Sequence, residues 1–313
     1  MYPRNRRFRF LTAKSCHIGI IRYIFNTNQF DTFIVFYHDD SIVTPPSLSL
    51  SSSLISVDLT VSKKSKLPEY TGAVFRGWLG TVMRCERAEC RSDCPDADRC
   101  PYRMVFKEDG ADIRPYSILS FCHNGGVRGF VKVHGDRRQF VPEMLSRINM
   151  HENARHFVKK SYQISGITAK SVEILPLSLG DTTTVSFVTP VHLVRNGCME
   201  VMPSFASLLK ASVRSFNRVT KYFDSQHYPC RVPDELLLVD VPILDFSLET
   251  TTVTHRNRQR KELQFEGITG WMTFDTSGVN PELGTVLKAG EYLQIGKNTT
   301  YGFGGFHVTT ENI

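Results

Sequence analysis

Four cysteines lie close together in the first third of the chain and could hold a metal ion. They are Cys85, Cys90, Cys94 and Cys100, all within residues 85–101. Four thiolates can close a tetrahedral zinc site and leave no open position for water or substrate, so a metal held here would be structural. The double Cys-x2-Cys of a zinc ribbon is absent. The cluster therefore predicts a structural zinc site, and a polar loop with free cysteines is the alternative.

Two groups of cations could bind phosphate. Residues 254–261 read Thr-His-Arg-Asn-Arg-Gln-Arg-Lys and fall between two predicted strands, which places them at a hairpin tip. A predicted helix carries a second group as one stripe, because its cations are spaced by four, four and three residues. Forked guanidinium groups bind phosphates and side-chain amides read base edges, which favours nucleic acid, although solvated charge is the alternative. The candidate contacts are Lys210, Arg214, Arg218, Lys221, Arg256, Arg258, Gln259, Arg260 and Lys261.

Residues 290–305 form a glycine-rich loop around one lysine. Five residues rather than four separate Gly290 from Gly296, and Asn298 stands where a phosphate-binding loop has its magnesium-binding Ser or Thr. These departures argue against a nucleoside triphosphatase. A backbone with few side chains lets a sugar-phosphate chain approach main-chain N–H donors, and a glycine-bulged hairpin is the alternative. The candidate contacts are Gly296, Lys297, Asn298, Thr299, Thr300, Tyr301, Gly302 and Gly304.

Composition indicates a folded protein of about two domains. The 313 residues are 41% hydrophobic and 22% charged, which is ordinary for a globular chain and excludes wholesale disorder. Lys and Arg outnumber Asp and Glu by 38 to 31, so the net charge of +7 favours a polyanionic partner. Because Arg22 interrupts the longest early apolar stretch, we expect no membrane span. The clustered cysteines and the lack of a signal-peptide cleavage site favour the cytoplasm.

The pattern of elements predicts two similar halves. Residues 55–61 alternate as a strand, and the following helix, opened by Pro68, contains Gly77 and Gly80, which predict a closely packed neighbour. A hairpin turns at Asn124-Gly125-Gly126, and a helix over 141–157 and a strand over 162–175 complete a βαββαβ unit.

A second βαββαβ unit begins at residue 182. Ser204 caps its first helix, strands are predicted over 236–254, 263–274 and 305–309, and a short helix over 281–288. The fold class is therefore α+β, with two tandem ferredoxin-like (RRM-like) domains and a cysteine-rich insert after the first helix.

The predicted domain boundaries are 1–53, 54–180 and 181–313. Residues 1–53 differ from the rest and end in a Ser/Pro-rich stretch, residues 44–53, which predicts a flexible linker. We interpret this segment as an extension that is either disordered or the result of a start codon placed too far upstream. The first domain contains the insert at 85–101, and the second contains the basic hairpin at 254–261 and the glycine-rich loop at 290–305.

Two segments resemble a known family. Residues 67–80 (Leu-Pro-Glu-Tyr-Thr-Gly-Ala-Val-Phe-Arg-Gly-Trp-Leu-Gly) and 295–304 (Ile-Gly-Lys-Asn-Thr-Thr-Tyr-Gly-Phe-Gly) are similar to those of the CRISPR-associated endoribonucleases that cut precursor CRISPR RNA at its repeats. These enzymes belong to the RAMP superfamily of tandem ferredoxin-like domains. The motif Cys100-Pro101-Tyr102 resembles the branch that carries a cysteine-rich insert. The likeness runs from about residue 54 to the C-terminus.

The resemblance implies a reaction, a substrate and partners. The 2′-hydroxyl attacks the adjacent phosphate without metal or catalytic cofactor, leaving a 2′,3′-cyclic phosphate and a 5′-hydroxyl, and the guide RNA stays bound. The implied partners are CRISPR repeat RNA and other CRISPR effector-complex subunits.

The resemblance also directs the choice of catalytic residues. Histidine suits proton transfer at neutral pH, so His255 on the basic hairpin is the first candidate and His123 the second, while His192 is expected in the core. Lys297 and Arg258 are the candidate charge stabilisers, supported by Arg76 and Arg256.

Two other functions stay open at this point. Many relatives have a histidine on or just after the first helix, and this helix has none. A non-catalytic RAMP-type RNA-binding subunit of an effector complex is therefore the first alternative. A zinc-containing protein-interaction scaffold with an incidental basic surface is the second.

Overall fold

The computed structural model describes the chain in segments. These are residues 18–22, 32–36, 48–61, 67–85, 94–107, 113–150, 157, 161–225, 229–238, 241–256 and 262–312. The chain divides into two compact units, Met1–Pro46 and Ser47–Ile313. In the smaller unit, strand β1 (Ile18–Arg22) pairs antiparallel with β2 (Thr32–Phe36), and its other residues lie outside the described ones.

The first half of the larger unit is a ferredoxin-like domain. Its elements are β3 (Ser52–Val61), α1 (Gly72–Val82), β4 (Tyr116–His123), β5 (Gly126–His134), α2 (Val141–Met150) and β6 (Tyr162–Val172). The strands form one antiparallel sheet in the order β4-β5-β3-β6. Alternate apolar residues of the strands form one buried cluster with α1 and α2, so a single core holds the sheet and both helices.

The second half repeats this topology. Its elements are β7 (Thr182–Val191), β8 (Val194–Arg195), β9 (Cys198–Met199), α3 (Phe205–Phe223), α4 (Asp234–Leu237), β10 (Ile243–Arg256), β11 (Glu262–Asp275), α5 (Leu283–Leu293) and β12 (Phe306–Glu311). The main sheet has the order β10-β11-β7-β12, which is the order of the first half. The prediction of two tandem ferredoxin-like domains is confirmed.

Helix α3 begins where its capping residue predicts. Ser204 has an extended backbone, and its Oγ accepts the Ser207 N–H at 3.1 Å. This bond satisfies one of the N–H groups that the first turn leaves unpaired. Phe205 and Leu208 are fully buried on one face, while the basic stripe lies on another. The same amphipathic pattern therefore fixes both the packing of α3 and the direction of its cations.

The linker prediction is wrong for residues 48–53. Leu48 and Leu50 are buried in the core of the second half, and Ser52 begins β3. Ser52 is fully buried, and its Oγ lies 2.8 Å from Nδ1 of His134. The prediction rested on the serine-rich composition and overlooked Leu48 and Leu50, whose spacing of two residues is that of a strand.

The second half also departs from prediction at two elements. The predicted strand over 236–254 begins only at residue 243, because Pro233 precedes the short helix α4 and Pro242 separates it from β10. Helix α5 continues to Leu293, so Gly290 belongs to a helix rather than to the glycine-rich loop. A Cβ on Gly290 would lie 2.0 Å from Oγ of Ser212, which shows that this glycine allows α5 to pack on α3.

The predicted close neighbour of α1 lies at its start. A Cβ on Gly77 would meet nothing within 4 Å, and one on Gly80 would lie 3.9 Å from Phe106. A Cβ on Gly72, in contrast, would lie 2.2 Å from the carbonyl oxygen of Tyr301. The close contact therefore joins the first turn of α1 to the glycine-rich loop of the other half.

Within the described residues, we find no helix with the length and apolar character needed to cross a lipid bilayer.

Candidate nucleic-acid interface

A cleft of about 980 Å³ lies between α3, the start of β4 and the glycine-rich loop. Among the described residues that line it, six are cationic and only Glu200 carries a carboxylate. The cations are Arg114, Arg195, Lys210, Arg214, Arg218 and Lys297. Arg195 approaches Glu200 to 3.9 Å. The excess of positive charge makes the cleft a suitable site for a polyanion.

The cleft brings together two predicted groups of cations. Lys210, Arg214 and Arg218 enter it from one face of α3, and the glycine-rich loop contributes Lys297. Lys221, the last cation of the stripe, is not among the lining residues, and its Nζ lies 5.3 Å from the ring centroid of Tyr222. Three of the four stripe cations therefore share one surface with the loop.

The glycine-rich loop has a constrained backbone. Gly296, Asn298, Gly302 and Gly304 all have positive φ, between 64° and 94°. The N–H groups of Ile295, Lys297, Tyr301, Gly302, Phe303, Gly304 and Gly305 donate to acceptors within the protein. The expectation that the loop presents its amides to a sugar-phosphate chain is wrong for these seven groups, because they hold the loop in shape. Gly296, Lys297, Asn298, Thr299, Thr300 and Tyr301 line the cleft.

Tyr301 is the point at which the glycine-rich loop meets α1 and the long β10–β11 hairpin. The guanidinium carbon of Arg76 lies 4.3 Å from the centroid of its ring, and the Tyr70 hydroxyl donates to its carbonyl oxygen at 2.7 Å. From the hairpin, Phe265 and His255 place their ring centroids 5.1 Å and 6.1 Å from that of Tyr301. The two segments that carried the family resemblance are therefore in direct contact.

His255 lies near the end of β10 and is half-buried. Burial lowers the pKa of its imidazole, and the positive charge of Arg76 lowers the pKa further. Both effects favour the neutral ring at neutral pH. A neutral imidazole beside a guanidinium can accept a proton while the cation binds an anion.

Two buried donors near Tyr301 have no hydrogen-bond partner among the described residues other than each other. They are Nε of Arg76 and the hydroxyl of Tyr116, which is 1% exposed. Burial raises the pKa of Tyr116 and the charge of Arg76 opposes that rise, so the two groups are close in space. Native proteins pair nearly all such atoms, and a phosphate oxygen would satisfy both donors.

The other hairpin places its histidine elsewhere. His123 is exposed beside the turn between β4 and β5, and its Nε2 lies 3.1 Å from Nδ2 of Asn124. It is not among the residues that line the cleft. The candidates Arg258, Gln259, Arg260 and Lys261 lie outside the described residues, as does the side chain of Arg256.

The cysteine cluster stays a prediction. Cys90 lies outside the described residues, Cys85 and Cys94 are partly buried, and Cys100 is buried with its Sγ 3.9 Å from a guanidinium nitrogen of Arg147. In the described part of the chain, no group of three or more potential ligands is placed to hold a metal.

Sequence reasoning missed several residues of the cleft. His192 follows β7, lines the cleft, and its Nδ1 lies 2.7 Å from the carbonyl oxygen of Glu266, so its assignment to the core is wrong. Arg114, Ser117 and Gln294 also line the cleft. No local pattern marks them, because they reach the site through the packing of one half on the other.

Comparison with known proteins finds two family models and one relative that match this chain. Residues 185–306 match the family model described as CRISPR-associated endoribonuclease Cas6, and residues 50–131 match a model described as an N-terminal domain. An uncharacterized protein of Archaeoglobus fulgidus is 20% identical over 272 residues, covering 77% of this chain and 92% of that protein.

Solved Cas6 structures share the fold. A Cas6 product complex has a TM-score of 0.58 at 14% identity, covering 82% of this chain and 99% of that chain. Thermus thermophilus Cas6 has a TM-score of 0.54 at 15% identity, with coverage of 83% and 99%. A partial Cas6-RT-Cas1–Cas2 complex has a TM-score of 0.55 at 13% identity, covering 86% of this chain and 47% of that chain. Residues 185–306 therefore match the family of CRISPR-associated endoribonucleases that the sequence resembles, and the likeness to solved Cas6 structures is one of fold.

Proposed function

We propose that this chain cleaves precursor CRISPR RNA within its repeats and keeps the product in the basic cleft. The observation that carries the proposal is the convergence of Arg76 and His255 on Tyr301, a residue that lines that cleft. A general base, a cation and an aromatic ring thus lie together beside a surface suited to a phosphate chain. The family assignment of the second half supports the same substrate class.

The proposed partners follow from the related complexes. One similar structure is described as a Cas6 product complex, and another as part of a complex with Cas1 and Cas2. We propose CRISPR repeat RNA as the substrate of this chain and other CRISPR proteins as its assembly partners. The six cations of the cleft supply the affinity for RNA, because each neutralised phosphate releases counterions.

The proposed reaction is an internal attack on phosphorus. The 2′-oxygen forms a bond to the adjacent phosphorus, the bond from phosphorus to the 5′-oxygen breaks, and the products are a 2′,3′-cyclic phosphate and a 5′-hydroxyl. His255 takes the proton of the 2′-hydroxyl, since its lowered pKa keeps the ring neutral. The leaving 5′-oxygen takes one proton from water, and the imidazolium of His255 returns its proton to the solvent, so the step balances and the base is regenerated.

The negative charge that grows on the phosphate needs fixed donors. Arg76 and Tyr116 offer buried donors that have no partner among the described residues other than each other, and Lys297 lines the cleft beside them. Because these groups are already in place, they stabilise the transition state without reorganising. Residues of the chain supply the base and the cations in this scheme, so the proposed cleavage proceeds without a metal.

The test is cleavage of the host's repeat RNA by the purified protein in the presence of EDTA. We expect cleavage at one site in each repeat, with a cyclic phosphate on the upstream fragment. Binding without cleavage would support the alternative of a non-catalytic subunit. Cleavage that requires added magnesium would contradict the proposed chemistry.

A further inference from the structure

Two buried polar atoms on the floor of the cleft have no hydrogen-bond partner among the described residues. They are Oγ of Ser117 and Oε1 of Gln294, and these residues are 2% and 1% exposed. Both residues line the cleft. Since leaving such an atom unpaired is costly and rare in native proteins, the pair calls for a ligand.

Gln294 is held so that only its oxygen is available. Its Nε2 donates to the carbonyl oxygens of Ile118 and Phe303, both at 2.9 Å. Both amide hydrogens are thereby used, and Oε1 can only accept. The backbone of Gln294 has φ 65° and ψ 149°, a region sparsely populated by residues other than glycine. Strain of this kind is concentrated at binding sites, where surrounding contacts maintain it.

Ser117 adds a second and more adaptable group. It directly precedes Ile118, whose carbonyl oxygen holds the Gln294 amide, and both residues line the cleft. A serine hydroxyl can donate or accept, whereas Oε1 of Gln294 needs a donor. A ligand that carries a donor beside an acceptor would satisfy both atoms. The Watson–Crick edge of a nucleobase has this arrangement, and unpaired RNA bases are commonly read on that edge.

The pair lies on the opposite face of β4 from the proposed phosphate site. Ser117 and Tyr116 are consecutive in the strand, so their side chains point to opposite faces. Because β4 is the edge strand of its sheet, an RNA chain can pass around it. A phosphate would then meet Arg76 and Tyr116 while a neighbouring base meets Ser117 and Gln294.

We propose that Ser117 and Gln294 read the Watson–Crick edge of one unpaired nucleobase in the bound RNA. The inference rests on the proposed function, because it takes RNA as the ligand of the cleft. Both atoms are shielded from solvent, so neighbouring side chains must shift as the base enters.

The test measures the affinity of the full chain for a series of repeat RNAs, each with one abasic nucleotide. For the wild-type protein we expect one unpaired position at which loss of the base weakens binding by about tenfold or more. Ser117→Ala should bind the intact RNA more weakly and show no further loss at that position, because the two changes remove the same contact. Ser117→Cys should behave in the same way, since a thiol is a weak donor and acceptor.

A matched control is available on the same strand. Ser120 is also buried, but its Oγ lies 2.7 Å from Oγ of Thr71. We expect Ser120→Ala to lower the melting temperature and leave the abasic profile unchanged. Ser117→Ala should not lower the melting temperature, because it removes a hydroxyl that has no partner in the described part of the chain.

The outcomes separate this inference from the proposed function. If the wild-type protein neither binds nor cleaves repeat RNA, the proposed function fails. If the wild-type protein cleaves the RNA and Ser117→Ala keeps the wild-type abasic profile at every position, only the base-reading site is refuted.

Discussion

The two hairpins that occupy equivalent places in the two halves present their histidines to different surroundings. Strands β4 and β5 have 8 and 9 residues, whereas β10 and β11 have 14 each. Five or six extra residues lengthen a strand by roughly 17–20 Å. His123 on the short hairpin is exposed, while His255 near the end of the long one lies beside Tyr301 and Arg76. The longer hairpin therefore brings its histidine to Tyr301 and Arg76, whereas the shorter one leaves its histidine exposed.

Replacing the two histidines gives the largest expected contrast. His255→Ala should slow cleavage of repeat RNA by about 10²–10⁴-fold, the usual contribution of a general base, with little change in RNA affinity. His123→Ala should leave the rate within about twofold of wild type. Single-turnover rates of the two variants test this directly. Equal losses of cleavage rate in the two variants would show that the surroundings of His255 give it no special role in catalysis.

Arg76 should contribute both charge and a pKa shift. Arg76→Ala should slow cleavage by about 10²–10³-fold, because a preorganised cation is lost. The charge of Arg76 also lowers the pKa of His255, so its removal raises that pKa. Since the base must be neutral, the rising limb of the pH–rate profile should move to higher pH. Arg76→Lys, which keeps the charge, should leave the limb nearer its wild-type position. If the rising limb of the pH–rate profile does not move in Arg76→Ala, then Arg76 does not set the pKa of the catalytic base.

The stripe on α3 should affect binding more than chemistry. Each of Lys210→Ala, Arg214→Ala and Arg218→Ala should weaken RNA binding by up to about tenfold and reduce the salt slope by about one. Lys221→Ala is the control, because Lys221 does not line the cleft. Titrations between about 50 and 200 mM salt measure both quantities. A Lys221→Ala defect as large as the others would place the RNA outside the cleft.

The smallest expected effect concerns the contact between α1 and the loop. Tyr70→Phe removes the hydrogen bond to the Tyr301 carbonyl oxygen and should destabilise folding by about 1 kcal/mol. It should also slow cleavage severalfold, since Tyr301 loses one of its supports. Tyr102→Phe is a suitable control, because the hydroxyl of Tyr102 pairs with Arg84 in a different region. Thermal melts and cleavage rates of the two variants provide the comparison. Equal cleavage rates would show that the Tyr70 hydrogen bond contributes to stability and not to cleavage.

Local patterns predicted most of the fold. The cap at Ser204, the alternation in β3 and the turn at Asn124-Gly125-Gly126 all act over a few residues, so the sequence reveals them. The run at 236–242 was misassigned because apolar residues suit either helix or strand, and only Pro233 and Pro242 divide it.

Contacts between distant segments were beyond local prediction. The close approach at Gly72 depends on Tyr301, which lies far along the chain, and nothing near Gly72 distinguishes it from Gly77. Likewise, Gln294 is unremarkable in sequence and becomes notable only because Ile118 and Phe303 fix its amide. The family resemblance pointed to both segments of this contact, residues 67–80 and 295–304. Hydrophobic periodicity pointed to neither, because it reports only on residues that are close in the sequence.

The most direct test of the account is a single substitution in the RNA. Repeat RNA should be prepared with a 2′-deoxy nucleotide immediately upstream of the mapped cleavage site and incubated with the wild-type protein. We expect unchanged binding and no detectable cleavage, because the attacking 2′-hydroxyl is missing. Cleavage of the deoxy RNA at the same site and a comparable rate would contradict it.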